Sequence, residues 1–448
     1  MTDSASQVLR RFAPMIYGPT MLFALGEGAV IPLIPIIAAS LGADLALSGL
    51  IASALVIGQV CGNIPAGYLV ARVGERLTMV GAGTLALLGV AGLALAPSLG
   101  VLAASVFIIG LCAAAFGLAR HAFMTTRVPL GYRARALSLL GGSFRFGMFA
   151  GPFLGALLLG LTGTEAAAAW LFAGCLLACV FLVGFGPDPE TQLRAEVVPQ
   201  GGTTRGAGRS TSDASDAADA TDTADATGAA DTGEAVTSGI TLPAGKRPGV
   251  FRTMVQHRAV LSRLGLAAAS LSAVRSARQV VLPLWGVSLA LDAQTISLVV
   301  GIAGAIDFAL FYASGQVMDR FGRLWAALPA MLLMGTGFIV LAFTHDVPQA
   351  TMWFAMFAAV IGVGNGLSSG ILLTLGADVA PKGDPAAFLG SWRTLTDSGG
   401  AVAPVLFSAI AAVSTLGAAT AAMGVIGLIG ALGFLRWVPR FVRRAPRA

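Results

Sequence analysis

The chain has 448 residues, of which 56% are hydrophobic and 11% charged, and its mean hydropathy is +0.82. This composition excludes an ordinary water-soluble globular protein and indicates a chain whose solvent is lipid. The formal net charge of +6 does not indicate nucleic-acid binding, because the basic residues lie in short connections between apolar segments.

The apolar segments are long enough to cross a bilayer as helices, since each runs for about 20 residues. They predict membrane-spanning helices near residues 14–40, 47–71, 77–97, 100–126, 135–160, 165–186, 259–291, 293–318, 324–344, 348–377, 385–412 and 415–437. The first segment is too long for the apolar part of a cleavable signal peptide and is expected to remain as a helix. The predicted fold class is therefore an all-α membrane protein with twelve transmembrane helices.

The connections between the predicted helices fall into two sets that differ in charge. One set, together with the two ends of the chain, contains Arg10, Arg11, Arg72, Arg76, Arg127, Arg133, Arg135, Arg320, Arg323, Lys382, Arg436, Arg440, Arg443, Arg444 and Arg447. The other set contains no Lys or Arg and lies near Asp44, Pro97, Glu165, Asp292, Asp346 and Thr415. Because basic residues collect on the cytoplasmic side of membrane proteins, both termini are predicted to be cytoplasmic, in a multi-pass protein of the plasma membrane.

A polar segment between residues 187 and 258 divides the chain into two halves. It is rich in Gly, Ser, Thr, Ala and Asp, and it contains evenly spaced aspartates at Asp213, Asp216, Asp219, Asp222 and Asp225. Such a segment cannot bury enough apolar surface to order itself, so we expect a disordered cytoplasmic linker. A regulatory or metal-collecting acidic tract is the less favoured alternative. The predicted domains are a six-helix bundle at 1–186, the linker at 187–258, and a six-helix bundle with a basic cytoplasmic tail at 259–448.

The two halves are related by a repeat with an offset of 248 residues. The matching positions are Pro35 and Pro283, Asp44 and Asp292, Gly67 and Gly315, Arg72 and Arg320, Gly74 and Gly322, Arg145 and Arg393, and Gly151 and Gly399. Repeated halves are typical of transporters whose substrate site lies between the halves near the middle of the membrane. Alternating access then arises when one half rocks against the other.

Two connections on the predicted cytoplasmic side share a pattern of glycine and arginine. The turns after the second and eighth helices contain Gly67, Arg72 and Gly74, and Gly315, Asp319, Arg320, Gly322 and Arg323. These stretches resemble the loop signature of the major facilitator superfamily, Gly-x-x-x-Asp-Arg-x-Gly-Arg, and the resemblance covers essentially the whole chain outside the linker. It implies the major facilitator fold, with two pseudo-symmetric six-helix bundles.

The same resemblance implies a role for the acidic residue of the loop. In the family, the loop aspartate is thought to take part in a charge lock that controls opening. The first copy here has Ala71 at that position, so the lock is expected to depend on Asp319. For the first copy, a plain structural turn between two helices explains the pattern equally well.

The fifth predicted helix contains Gly147, Gly151, Pro152 and Gly155. Small residues four apart permit close packing of helix backbones, and the proline bends the helix. This arrangement resembles the signature of proton-coupled exporters within the family, and it therefore implies efflux. The fourth helix departs from the exporter pattern, because Arg120 lies much further along that helix than the exporter arginine, whose role is not transferred to it.

Eight ionisable residues are predicted to lie inside the membrane, where each costs on the order of 2.5–3.5 kcal/mol unless it has a partner or a water-filled cavity. They are the cations Arg120, Arg145, Arg275, Arg278 and Arg393 and the anions Glu27, Asp307 and Asp397. The five arginines and Asp397 are candidate residues of a substrate cavity. The surplus of cations favours an anionic, zwitterionic or neutral amphipathic solute over a dedicated cation.

Glu27 and Asp307 are the candidate proton-coupling residues, because a buried carboxyl group can bind and release a proton as its surroundings change. A permanently paired structural ion is the alternative for both. Arg275 occupies the position in the second half that Glu27 occupies in the first, so an ion pair between them is a hypothesis.

The remaining deep charges have different expected roles. Arg393 and Asp397 are four residues apart on one helix, so they are expected to satisfy each other. Arg145 has no carboxylate on its own helix and is the stronger candidate for substrate contact.

The predicted function is secondary active transport, with proton-coupled efflux of a small or amphipathic solute, anionic or neutral, by alternating access. Proton-coupled uptake of an anionic metabolite is the alternative. A membrane-embedded transferase is less favoured because no loop cluster with catalytic spacing is present, and a scaffold would need an ordered site in the linker. The predicted partners are a small-molecule substrate, protons and the lipid bilayer. No nucleic acid, cofactor, metal or enzymatic activity is predicted, and a monomer is expected.

Overall fold

The computed structural model describes residues 13–128, 130–186, 255–381 and 385–442. Most of the predicted linker and the last six residues of the basic tail lie outside the described residues, so what we predict for them stays a prediction. Every regular element in the described part of the chain is helical.

Twelve long helices, α1 to α12, follow one another along the chain. In the first half they are α1 (Gly18–Val30 and Ile34–Ser40), α2 (Leu45–Val73), α3 (Glu75–Ala94), α4 (Leu99–Arg127), α5 (Leu130–Thr162) and α6 (Ala166–Phe185). In the second half they are α7 (Leu266–Ser288), α8 (Ala293–Phe321), α9 (Arg323–Ala342), α10 (Ala350–Leu367 and Ile371–Val379), α11 (Pro385–Val413) and α12 (Leu416–Phe441).

The twelve-helix membrane fold predicted from hydropathy is confirmed. Eleven of the helices are long and apolar enough to cross a membrane. The remaining helix, α7, has 23 residues, which gives a length of about 35 Å, but it is less apolar because it carries Arg275 and Arg278. Most residues of α7 are buried, so its polar groups face the protein interior.

The 248-residue repeat reappears in the helix boundaries and in the packing. The starts of α2 and α8 differ by 293 − 45 = 248 positions, and α3 and α9 keep the same offset at both ends. The pairs α1 with α5, α2 with α4 and α3 with α6 pack together, and so do α7 with α11, α8 with α10 and α9 with α12. The second half therefore repeats the helix arrangement of the first.

Equivalent aspartates begin α2 and α8. Asp44 accepts a hydrogen bond from the backbone N–H of Leu47 at 2.7 Å, and Asp292 accepts one from the backbone N–H of Thr295 at 2.9 Å. Both carboxylates satisfy N–H groups that the first turn of a helix leaves unpaired. The side-chain hydrogen bond from the Thr295 hydroxyl, followed by the backbone bonds, holds the pKa of Asp292 below its usual range.

The halves meet through α5 against α8 and through α2 against α11. We call the end of the bundle at which α2 joins α3 and α8 joins α9 the basic end, because the sequence predicts it from its arginines. At the opposite end, Gly49 of α2 approaches Ser408 of α11, and Gly160 of α5 approaches Gln294 of α8. The halves are therefore in close contact away from the basic end.

At the basic end, glycines of the same helices have no such close neighbours. An added Cβ on Gly142 of α5, Gly315 of α8 or Gly390 of α11 would meet no other described atom within 4 Å. These glycines lie on the same helices that touch at the opposite end. Among the described residues, the halves therefore do not make at these positions the close contacts that they make at the opposite end.

The glycine motif of α5 packs directly on the backbone of α1. An added Cβ on Gly147 would lie 2.5 Å from the carbonyl oxygen of Met21, and one on Gly151 would lie 2.6 Å from the amide nitrogen of Ala29. Gly155 is less tight, with the Ala29 carbonyl oxygen at 3.2 Å. The predicted close packing at this motif is therefore present, and Pro152 beside it lines the space between the halves.

Two helices that were predicted to be continuous are interrupted. The helix predicted at 14–40 contains a 3-10 turn at Ile31–Leu33, where prolines remove backbone donors. The helix predicted at 348–377 is broken between its two segments at Gly370, whose φ is +77°. The hydroxyl of Ser314 donates to the carbonyls of Leu367 and Ser369 at 2.7 and 2.9 Å, which satisfies acceptors that the break leaves free.

Candidate functional site

A cavity of about 450 Å³ lies between the halves. Its lining comes from α1, α2, α4 and α5 of the first half and from α7, α8, α10 and α11 of the second. All eight of the ionisable residues predicted inside the membrane line it: Glu27, Arg120, Arg145, Arg275, Arg278, Asp307, Arg393 and Asp397. The structure thus brings together in one space charges that the sequence spreads over six helices.

Glu27 occupies the first-half wall of the cavity and is only 4% exposed. Its carboxylate accepts a hydrogen bond from Gln59 of α2 at 3.3 Å and interacts electrostatically with Arg120 of α4. The hypothesised ion pair between Glu27 and Arg275 is not formed in this conformation. The partners of Glu27 belong to its own half, because α2 and α4 pack against each other beside α1.

Arg120 lies deeper than its position near the end of α4 suggested. It is 5% exposed, lines the cavity, and places its guanidinium carbon 4.9 Å from the ring centroid of Phe144 on α5. A guanidinium group on an aromatic face loses water contact at a smaller cost than an isolated cation. Arg120 is therefore a buried cation that interacts electrostatically with Glu27. It does not occupy the position of the exporter arginine.

Asp307 occupies the second-half wall and is the centre of a charged network. Nη1 of Arg145 donates to its carboxylate at 3.2 Å, and Nη2 of Arg278 lies 3.6 Å from its other oxygen. The side-chain amide of Asn365 donates to Asp307 at 2.6 Å. Because Arg145 belongs to α5 and Asp307 to α8, this network includes an ion pair between the two halves.

Asn365 was not identified from the sequence. It is 4% exposed, and its carbonyl oxygen accepts a hydrogen bond from Nε of Arg275 at 3.1 Å while its amide donates to Asp307. It lies two residues before the end of the first segment of α10, next to the break. Its signal in the sequence is a single uncharged amide within a mainly apolar segment, which is weaker than the signal of a charged residue.

Arg393 and Asp397 form the ion pair that their spacing predicts. Nε of Arg393 lies 3.3 Å from a carboxylate oxygen of Asp397 on α11. Both residues line the cavity, so the pair contributes polar surface to it without adding net charge.

The cavity has a surplus of positive charge and an aromatic wall. Five cations and three anions leave a formal charge of 5 − 3 = +2 on its lining. The aromatic lining residues are Phe23, Phe116, Phe144, Phe149 and Phe308. Such a cavity can accept a molecule with both apolar surface and polar groups. No group of three or more His, Cys, Asp or Glu that could hold a metal occurs in the described part of the chain.

The two glycine and arginine turns share a backbone but differ in chemistry. Gly74 and Gly322 have φ values of +85° and +94°, which L side chains adopt with difficulty, so both turns require glycine. In the second copy, Arg323 lies 3.3 Å from Asp319 and 3.0 Å from Asp378 of α10. These two ion pairs connect α8, α9 and α10 of the second half, and they include Asp319, the residue on which the charge lock is expected to depend.

In the first copy, the arginine after the turn binds backbone carbonyls instead of carboxylates. Arg76 donates hydrogen bonds at 2.9 Å to the carbonyls of Val183, Gly184 and Gly186 at the end of α6. These carbonyls are the acceptors that a helix leaves unsatisfied at its C-terminus. The remaining motif arginines contact aromatic rings on their own helices, with Arg72 5.1 Å from Tyr68 and Arg320 5.5 Å from Phe321. Among the described atoms, an added Cβ on Gly67 would meet only Leu118 of its own half within 4 Å, and one on Gly315 would meet none.

Comparison with known proteins identifies the family of this arrangement. The family profile of the Major Facilitator Superfamily matches residues 19–404 and 264–448. The bacillibactin exporter of Bacillus subtilis (strain 168) is 27% identical over 136 residues, which are 30% of this chain and 34% of the exporter. The match thus spans about a third of the length of that relative.

Solved structures share the whole fold. A peptide transporter crystallised in complex with sulfate superposes with a TM-score of 0.67 at 14% identity, covering 99% of this chain and all of that one. The xylose transporter of E. coli, in a partially occluded inward open conformation, superposes with a TM-score of 0.61 at 14% identity, covering 96% of this chain and all of that one. At this identity the likeness extends to the fold alone.

Proposed function

Because this chain belongs to the Major Facilitator Superfamily and is a membrane transporter rather than an enzyme, we propose that it is a proton-coupled exporter of a small amphipathic solute. It acts as a monomer in the plasma membrane, with both termini in the cytoplasm. The cavity between the halves binds the solute, and rocking of the halves exposes the cavity to each side in turn.

The observation that carries the proposal is the position of Glu27. Its carboxylate is buried in the cavity wall, with one hydrogen bond from Gln59 and one nearby cation, Arg120. Asp307 has two arginines and an amide around it, so it serves better as a fixed link between the halves. Glu27 is therefore the group whose proton can be exchanged with least disturbance of the structure.

The charge of the solute determines the sense of coupling at Glu27. A solute that places a positive or hydrogen-bond-donating group beside Glu27 competes with the proton, and competition for one site produces exchange of proton for solute. A solute that places an anion beside Arg120 is favoured when Glu27 carries its proton, which produces movement in the same direction. Export therefore fits a neutral or zwitterionic amphipathic solute.

Two further observations support export. One is the partial match to the bacillibactin exporter. The other is the resemblance of the α5 glycine motif to the signature of exporters in the family.

Uptake of an anionic metabolite is the second candidate, and the surplus of two positive charges in the cavity lining favours it. An anion bound near Arg120 is favoured when Glu27 carries its proton, so it would travel in the same direction as the proton. The two candidates differ in the direction of solute movement under a proton gradient.

The experiment begins with metabolite and drug-sensitivity profiles of a strain lacking the protein, which supply candidate solutes, with bacillibactin added to the panel. Each is then given to everted vesicles with an acidified lumen, and a pH-sensitive dye reports the gradient. For an exporter, the solute accumulates and discharges the gradient. Glu27→Gln is expected to abolish the discharge in protein that remains folded, and Glu165→Gln, a carboxylate outside the cavity, is the matched control.

Two outcomes would contradict parts of this proposal. If solutes accumulate only in right-side-out vesicles with an acidic exterior, the protein is an uptake system and the export proposal fails. Normal gradient discharge by Glu27→Gln would remove Glu27 from the coupling mechanism.

A further inference from the structure

The basic end of α12 carries three arginines around one tryptophan, outside the central cavity. The guanidinium carbons of Arg263, Arg436 and Arg440 lie 4.8, 5.5 and 5.2 Å from the centroid of the Trp437 ring. Arg436 and Arg440 belong to α12, whereas Arg263 belongs to the turn Leu261–Gly265 that leads into α7. These four residues, which we call the Trp437 cluster, connect the ends of two helices.

The Trp437 cluster concentrates positive charge. The largest separation that these distances allow between two guanidinium carbons is 5.5 + 5.2 = 10.7 Å. All three arginines are exposed, and the ion pairs found in the described part of the chain include none of them. Like charges at this spacing repel one another, and an anion bound among them would turn the repulsion into attraction.

An apolar groove continues from the Trp437 cluster along α12. It has a volume of about 600 Å³ and is lined by Leu432 and Leu435 together with residues of the cluster. The two leucines are 65% and 50% exposed. Because α12 ends at the basic end, Leu432 lies about 12 Å further into the membrane than Arg440, at 1.5 Å per residue. The site therefore changes from cationic to apolar along the membrane normal.

We propose that the Trp437 cluster binds one anionic phospholipid of the leaflet at the basic end. The phosphodiester accepts hydrogen bonds from the three guanidinium groups, the indole lies at the level of the headgroup, and an acyl chain covers Leu435 and Leu432. A free phosphate or an acidic peptide would use the arginines alone. The groove, which Leu432 and Leu435 line together with Arg436 and Arg440, is the feature that selects a lipid.

Binding at the Trp437 cluster has a structural consequence. Arg263 precedes α7, which carries Arg275 and Arg278 into the cavity, whereas Arg436 and Arg440 belong to α12. A lipid held by all three arginines joins α7 to α12 at the basic end. It therefore stabilises the second half as a unit, independently of which solute is transported.

The test is lipid binding to the purified full-length protein, measured by native mass spectrometry during titration with phosphatidylglycerol, phosphatidylcholine or inorganic phosphate. The triple variant Arg263→Gln, Arg436→Gln, Arg440→Gln removes the cations, and its three single variants grade the effect. Arg258→Gln is the matched control, because Arg258 is an exposed arginine of the same segment as Arg263 that lies outside the cluster.

Phosphatidylglycerol is expected to bind the wild type in a one-to-one complex and to raise its unfolding temperature, whereas phosphatidylcholine and inorganic phosphate are not. Each single variant should weaken binding roughly five-fold, and the triple variant on the order of 100-fold, with no change in Arg258→Gln. Equal binding of phosphatidylglycerol to the wild type and the triple variant would overturn the proposal. Competition by millimolar inorganic phosphate would show an anion site and reject a lipid site.

Discussion

Replacing Asp307 by Asn is expected to destabilise the protein more than replacing Arg145 by Gln, although the two side chains form one ion pair. Asp307 has three partners, with Arg145 at 3.2 Å, Arg278 at 3.6 Å and Asn365 at 2.6 Å. Its side chain is 14% exposed, and those of Arg145 and Arg278 are 9% and 15% exposed. The neutral asparagine therefore leaves two largely buried cations without their carboxylate.

The magnitudes follow from this difference in partners. Removing one partner of a buried ion pair, so that an uncompensated charge remains, costs about 3–5 kcal/mol. Removing Arg145 leaves Asp307 with Arg278 and Asn365, so the loss is that of one charge-assisted hydrogen bond, about 1.5–3 kcal/mol. The double variant Arg145→Gln, Asp307→Asn should cost less than the sum of the single variants, by roughly 0.5–3 kcal/mol.

Equilibrium unfolding of the purified protein in mixed micelles of increasing SDS content measures the three differences in free energy. The result that refutes the reasoning is a cost below about 1 kcal/mol for Asp307→Asn, the value typical of an ion pair screened by water. A larger cost for Arg145→Gln than for Asp307→Asn would show that Asp307 is not the centre of the network.

Three further predictions concern helix packing, closure and capping. Gly151→Ala should cost about 1–3 kcal/mol in the same unfolding assay, because its Cβ would lie 2.6 Å from the Ala29 nitrogen. Gly142→Ala on the same helix is the control: its Cβ meets no described atom within 4 Å, so it should be neutral or stabilise by up to about 1 kcal/mol. Equal effects of the two variants would contradict the packing. Gly315→Leu should fold normally but lose transport, because a Cβ at this position meets no described atom within 4 Å in this conformation, whereas a leucine would obstruct a closer approach of the halves at the basic end during alternating access; transport at the wild-type rate would count against such an approach. Asp292→Ala should cost about 1 kcal/mol at pH 7. Because the pKa of Asp292 is lowered in the folded protein, its stabilising contribution is present above the ordinary aspartate pKa of about 3.9 and is lost as the pH falls below it, so the variant and the wild type should converge in acid; a constant difference would exclude the carboxylate as the cause.

The fold was predictable because its signals are local or periodic. Runs of apolar residues set the helices, and the positions from Asp44 to Gly74 recur from Asp292 to Gly322 in the sequence and again as equivalent caps and turns. A shared offset predicts shared packing because equivalent small residues, such as Gly151 and Gly399, approach the backbones of equivalent helices, α1 and α7. These features needed no knowledge of which helices face each other across the cavity.

The partners within the candidate site were not predictable to the same extent. The offset suggested Glu27 with Arg275, but helix packing places Gln59 and Arg120 beside Glu27 instead. Asn365 of α10 joins Arg275 of α7 to Asp307 of α8, so its role depends on three helices that are far apart in the sequence. Contacts of this kind depend on tertiary structure, which a single helix sequence does not specify.

The measurement that tests the account most directly is proton-driven solute accumulation in proteoliposomes, compared with solute exchange at equal pH. The solute is the one identified by the deletion profile, and the lumen contains a pH-sensitive dye. Wild-type protein should accumulate the solute against its gradient with opposite proton flow. Glu27→Gln should still exchange solute at equal pH but accumulate none. Accumulation by Glu27→Gln to the wild-type level, with the same proton flow, would contradict the account.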